Sequence, residues 1–201
     1  MYLKFQIKVP AIIESIVVYF LLRYRKKKYG YPFRKIKLTQ GQYTIVDPED
    51  FDELNQYKWF SKRCPHTIYA QRKENRKTVS MHRQVMRATK GVFVDHKNRD
   101  GLDNRKDNLR FATAAQNNCN SLRGFYNGRS KYKGVELDKK TNRWRATIYF
   151  ENKKIHLGMF ETEKEAAEAY DRAAAKYHGE FALRNSDIFK SDGLSTVLNF
   201  G

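Results

Sequence analysis

The stretch RWRATIYF, residues 143–150, alternates so strictly that it commits part of this chain to a one-sided sheet. Period two sends Trp144, Ala146, Ile148 and Phe150 to one face of a strand, and Arg143, Arg145, Thr147 and Tyr149 to the other. The apolar face needs a cover that can approach closely. Thr162-Glu163-Lys164-Glu165 reads as a capping box opening a helix. Ala167, Tyr170, Ala173, Ala174 and Tyr177 give that helix a small-residue face, and Gly179 stops it. Flanking strands are expected at Tyr132–Leu137 and Lys154–Leu157. The unit is then a three-stranded antiparallel sheet packed on one helix.

The opposite face of that sheet has no core to cover. It is basic and aromatic in a chain with 40 Lys and Arg against 22 Asp and Glu, a net charge of +18. An excess of this size points to a polyanionic partner. A ribbon of two or three strands fits the major groove of B-DNA, where Arg pairs with guanine and Thr or Tyr reaches bases and phosphates. Arg143, Arg145, Thr147 and Tyr149 are the candidate contacts. The same alternation adds Lys154 and His156, and Lys133 should flank the groove from the first strand.

A second polar stretch, VDHKNRDGLDNRKDNLRFATAAQNN at 94–118, enters from an apolar strand and leaves through a capped helix. Val94-Asp95-His96 ends the strand, Asp100-Gly101 makes a turn, and Asn108 to Ala112 returns as a second strand. Thr113-Ala114-Ala115-Gln116 is another capping box, which places Asn117 in the first turns of a helix. Hydrolysing a phosphodiester needs a base that titrates near neutrality and a hard divalent cation. His96 offers the base. Asp95 and Asn117 offer the oxygens, and Mg²⁺ keeps several waters, so few protein ligands suffice. Arg99, Arg105 and Arg110 could clamp phosphates through paired hydrogen bonds. Asn104 should shape the loop. His82 either packs at the start of its own helix or lies beside the scissile phosphate.

Two resemblances sharpen these readings. Met81-His82-Arg83, followed by VDHKNRDGLDNRKDNLR and AAQNN, resembles the HNH homing-endonuclease family over roughly residues 36–120. That resemblance implies a one-metal site with His96 as general base, Asp95 and Asn117 as ligands, and Asn108 pinning the loop beneath the histidine. The family often carries His where Asn117 stands, and the choice between Asn117 and Asn118 rests on helix register. YKGV, RWRATI, HLGMFETEKEAAEAYDRAA and Asn185 resemble the Apetala-two/ethylene-response-factor domain over about residues 130–186. It implies a sheet that binds the DNA major groove. Glu136 and Asp138 stand where the plant proteins carry Arg, so the plant target sequence does not transfer.

Elsewhere, Ile36 to Val46 reads as a hairpin, Asp47-Pro48 as an N-cap and first helical position, and Met81 to Ala88 as a short helix. Ala11 to Leu22 is apolar but interrupted by Glu14 and Ser15. As a helix it would reach ~18 Å, short of a ~30 Å hydrocarbon core. Eight basic residues and no acid follow it between Arg23 and Lys37. The segment is expected to pack on its own domain, with attachment to an anionic membrane surface as the competing reading. Cys64 and Cys119 are isolated thiols, which excludes a structural zinc site built on Cys and fits a reducing compartment.

The expectation is therefore an α+β chain. It has an extension at 1–34, an HNH (ββα-metal) nuclease domain at 35–120, a linker at 121–129, a sheet domain at 130–188 and a tail at 189–201. It would act on double-stranded DNA with one divalent cation, Mg²⁺ or alternatively Mn²⁺, and no small-molecule cofactor. A cytoplasmic, nucleoid-associated protein without signal peptide or stable membrane insertion is expected. The alternative is a DNA-binding regulator whose HNH module is inactive. Whether it is a monomer or a dimer stays open.

Overall fold

The computed structural model describes residues 10–121 and 130–188. The expected tail, and the expected linker beyond Ser121, lie outside the described residues. The chain mixes helices with several small sheets. It divides into two compact units: residues 1–88 with 100–109, and residues 89–99 with 110–201. The division runs through the polar stretch at 94–118 instead of falling at the expected linker.

The first unit begins with α1 (Ala11–Tyr29), none of whose residues is buried. The expected packing of its apolar half is not seen among the described residues: Ile12 is 71% and Phe20 is 64% exposed. Its C-terminal end is anchored, with Arg25 donating from Nη1 to the Phe33 carbonyl at 2.6 Å and lying over the Phe33 ring. β1 (Arg34–Lys37) and β2 (Tyr43–Val46) pair antiparallel. Phe33, Ile36, Leu38, Val46, Leu54, Trp59 and Met81 form the buried interior. Asp47 does not cap its own helix. Its carboxylate instead accepts the Lys106 backbone N–H at 2.7 Å, which ties down the 100–109 loop. A short 3₁₀ turn and α2 (Phe51–Asn55) follow.

Next, β3 (Phe60–Cys64), β4 (Thr67–Glu74) and β5 (Lys77–Ser80) form an antiparallel meander. Asn75 and Arg76 both have positive φ, as a tight two-residue turn requires. α3 (Met81–Val85) is shorter than the helix expected from the sequence. The 100–109 loop lies along β2: Ile45 N–H donates to Leu102 O, and Asn104 N–H to Ile45 O, both at 2.9 Å. Asn104, wholly buried, donates to Thr44 Oγ1 at 2.8 Å, so it shapes this loop as expected.

In the second unit, β6 (Phe93–His96) and β7 (Leu109–Ala112) form a two-stranded sheet, and α4 (Ala114–Cys119) packs on β6. The Thr113–Gln116 capping box is formed in both directions. Beyond it lie β8 (Val135–Asp138), β9 (Arg143–Phe150) and β10 (Lys153–Phe160), antiparallel in the order β10-β9-β8. α5 (Glu163–His178) opens on its own completed capping box. It buries Ala166, Ala167, Ala169, Tyr170, Ala173 and Ala174 beside Ala146 and Ile148 of β9. Methyl-sized helix residues let the helix approach the sheet closely, with Tyr170 the large side chain among the helix's buried residues. Gly134 has φ +74, and a Cβ there would collide with the Tyr170 ring and sit 2.7 Å from Thr147 O. Only glycine fits this position.

Candidate functional site

β6 ends on Asp95 and His96, both buried, at 6% and 4% exposure. A strand that stops at a turn can carry polar side chains into the interior only if they find partners. Asp95 finds two. Arg110, on β7, donates from Nε and Nη2 to Oδ2 at 2.9 and 2.7 Å. Asn120, the residue that closes α4, donates from Nδ2 towards both carboxylate oxygens at 3.1 and 3.0 Å, and to His96 O at 2.9 Å. The turn beyond His96 is set by the Arg99 N–H, which donates to His96 O at 2.9 Å while Arg99 takes a positive φ.

Asn117 is half-buried and Asn118 exposed. Asn117 lies three residues before Asn120, and residues at that spacing share a helix face. The amide of Asn120, absent from the sequence reading, is the one that touches Asp95. The i, i+3 relation to Asn117 is the signal that could have found it.

Among the described residues, no group of three or more His, Cys, Asp and Glu gathers to hold a metal. A cation here would depend on one carboxylate, an amide oxygen and water. That donor set suits hydrated Mg²⁺. Arg110 donates twice to Oδ2, so the ligand lone pair would come from Oδ1, which among the described residues accepts only from Asn120 Nδ2, at 3.1 Å. Asn108 belongs to the other unit, where its Nδ2 donates to Asp103 O at 2.8 Å and pins the 103–108 turn. His82, also in that unit, is half-buried with its ring 5.4 Å from that of Tyr69.

Three basic residues expected to meet DNA are held by protein acceptors. Arg105 is buried, paired with both Asp103 oxygens at 2.8 and 2.7 Å and stacked over the Tyr31 ring at 3.3 Å. Arg110 is held by Asp95 and, through Nη1, by Glu180 O at 2.6 Å. Lys133 turns inward instead of flanking a groove: its Nζ donates to Cys119 O at 2.7 Å and Ser121 O at 2.8 Å. Burial, helped by the Arg99 charge and opposed by Cys119, lowers its pKa to about 8. Period and charge could not disclose these roles, because each depends on a partner remote in sequence or on local backbone direction.

The sheet carries the other expected residues. Arg143, Arg145, Thr147 and Tyr149 alternate with the packed residues of β9, and Tyr149 is 63% exposed. Pairing sets Lys154 opposite Tyr149 and His156 opposite Thr147, which puts all of them on one face. Arg145 Nη2 meets Asp138 Oδ2 at 2.6 Å, and Arg143 Nε meets Glu161 Oε1 at 2.9 Å. The Asp138 carboxyl is held below its ordinary range by the Lys140 N–H and then by Arg145. Asp138 thus orients Arg145 and partly neutralises the face.

Residues 82–119 match the sequence model of the HNH endonuclease family, and residues 130–180 that of the AP2 domain. "Ethylene-responsive transcription factor WRI1" of Arabidopsis thaliana is 48% identical over 67 residues, 32% of this chain and 16% of that protein. "AP2-like ethylene-responsive transcription factor AIL5" of Arabidopsis thaliana is 46% identical over 71 residues, 34% of this chain and 13% of that protein. "AP2-like ethylene-responsive transcription factor CRL5" of Oryza sativa subsp. japonica shows the same identity over 71 residues, 34% of this chain and 11% of that protein. The chain spans less than a fifth of the length of these relatives. Residues 130–180 are accordingly an AP2 domain, carried on the same chain as a segment that matches the HNH endonuclease family.

Proposed function

We propose that this chain is a metal-dependent, site-preferring DNA endonuclease of the homing type, in which the AP2 sheet selects the duplex and the 94–120 segment cuts it. The observation that carries the reading is that Asp95 and His96 are both buried at the end of β6, with Asp95 tied to the end of α4 through Asn120. Burying a carboxylate is costly unless it is paired, and Arg110 and Asn120 supply that pairing; a nuclease would use the carboxylate so fixed as a cation ligand. His96 would take a proton from the attacking water. Asp95, through Oδ1, and the Asn117 side-chain oxygen would hold the cation, which when bound neutralises a phosphoryl oxygen and stabilises the leaving oxygen. Arg143, Arg145, Lys154 and His156 would meet the duplex, with Thr147 and Tyr149 between them. Arg contacts bases or phosphates in pairs, and the surrounding charge supplies affinity that falls with salt.

The test is nicking of supercoiled plasmid by purified protein with Mg²⁺, with and without EDTA. Wild type should cut only with the metal, and His96→Ala should bind DNA with wild-type affinity yet lose cleavage. Equal nicking by the variant overturns the assignment. A second reading is a DNA-binding regulator with a silent HNH segment. It is favoured by the Arg110 guanidinium already seated on Asp95 Oδ2, and by relatives that are named transcription factors. Wild-type protein that binds duplex DNA without ever cutting it decides for this reading.

A further inference from the structure

We propose that the AP2 domain is a working part of the candidate catalytic hairpin, with Arg110 as the positioning residue through which it sets Asp95. The catalytic half of this inference rests on the nuclease reading above. Two side chains grip Asp95, and the AP2 domain or its flank holds each of them. Arg110, whose side chain is 11% exposed, reaches Asp95 with Nε and Nη2 and the Glu180 carbonyl with Nη1. Its guanidinium carbon lies 3.9 Å from the centre of the Phe181 ring, and Phe181 is itself buried. All three guanidinium nitrogens are engaged, and the plane is fixed by a ring face.

Asn120, the second grip, is held through its neighbours. Lys133 Nζ donates to the carbonyls of Cys119 and Ser121, on either side of it. The Lys133 backbone is locked in turn by Asn185, which accepts its N–H at 2.6 Å and donates to its carbonyl at 3.2 Å. Asn185 is fastened to α5 by donating its own N–H to Asp171 Oδ1 at 2.6 Å. Two independent chains of contacts therefore run from the AP2 domain to the two oxygens of one carboxylate. A reading module tethered only by a flexible linker would need neither chain. Small displacements of a ligand carboxylate are felt strongly in catalysis, since a misplacement of ~1 Å can cost on the order of a hundredfold in rate.

The experiment uses the full chain with Phe181→Leu, which keeps apolar bulk and loses the ring face, Phe181→Tyr, which keeps it, and Arg110→Lys. Amide exchange without metal or DNA should quicken by roughly tenfold or more at 93–96 and 109–120 in Phe181→Leu and Arg110→Lys. It should be unchanged across 143–160, and Phe181→Tyr should match wild type. In cleavage, Phe181→Leu should lower kcat with KM for DNA unchanged, and Phe181→Tyr should restore it. Exchange at 93–120 that is the same in all four proteins, or that quickens equally throughout the sheet, overturns the coupling. If wild type never cuts DNA while exchange responds as described, the nuclease reading fails and the coupling stands. If wild type cuts and Phe181→Leu cuts with the same kcat, the positioning role fails and the nuclease reading stands.

Discussion

Asn120 donates its side-chain amide to the carboxylate of Asp95 across 25 residues of sequence, at 3.0–3.1 Å from the two oxygens. The pair ties the end of α4 to the end of β6, and the same Nδ2 also reaches His96 O. Asn120→Ala should leave a buried carboxylate with one donor group fewer and one carbonyl less satisfied. Loss of a buried hydrogen bond to a charged group costs about 1–3 kcal/mol. Urea unfolding should show that loss, and Asn120→Asp should be worse because it sets a second negative charge against Asp95. An Asn120→Asp protein as stable as wild type at pH 7 would refute the contact.

The sheet face makes a prediction about charge. Asp138 neutralises part of the Arg145 charge and fixes its direction. Asp138→Asn should tighten duplex binding at low salt and steepen its salt dependence, while Arg145→Ala should flatten the slope by about one unit for the lost phosphate contact. Fluorescence anisotropy on one duplex at several salt concentrations reads both. Parallel lines for the three proteins would place the DNA elsewhere.

Much of the fold was legible because its signals are local. Both capping boxes, at Thr113 and Thr162, formed as read, since each is complete within four residues. The alternation of 143–150 gave the correct inner face for the same reason. Asp47 misled because an N-cap signature cannot tell whether its carboxylate turns to its own helix or to a remote backbone N–H. Arg105, Arg110 and Lys133 misled in a shared way. Basic residues in a basic chain read as DNA contacts, but Arg110 and Lys133 found acceptors remote in sequence, and Arg105 turned back on Asp103 two residues before it. The contact between Asp95 and Asn120 escaped because the expected site ended at Asn118, one residue inside the HNH match boundary at 119.

Gly134 offers a test of the AP2 packing. Its φ of +74 and the nearby Tyr170 ring leave no room for a methyl group. Gly134→Ala should destabilise by about 1–3 kcal/mol or more, combining backbone strain with overpacking. Thermal unfolding should show it as a lower Tm, with Gly158→Ala as a comparison near the other edge of the sheet. An unchanged Tm for Gly134→Ala would mean that Tyr170 is free to move, against its burial beside Ala173 and Ala174.

Lys133 gives a pH signature of the second chain of contacts. Its pKa falls from an ordinary 10.5 to about 8 because burial disfavours the ammonium. Below pH 8 the folded and unfolded chains both hold the proton, so the burial penalty is fully present. Between pH 8 and 10.5 the folded chain releases it first. The unfolded chain then binds more protons, and stability rises with pH. The shift corresponds to an upper bound of roughly 3 kcal/mol, reduced by the two carbonyl acceptors that favour the charged form. Lys133→Met carries no proton at this position. The stability of wild type minus that of the variant should therefore climb between pH 8 and 10.5 and be flat from pH 6 to 7.5. Urea unfolding followed by circular dichroism at four pH values measures it. A difference that stays level through pH 10 would mean that the ammonium reaches water, and that α4 is not held through its last carbonyls.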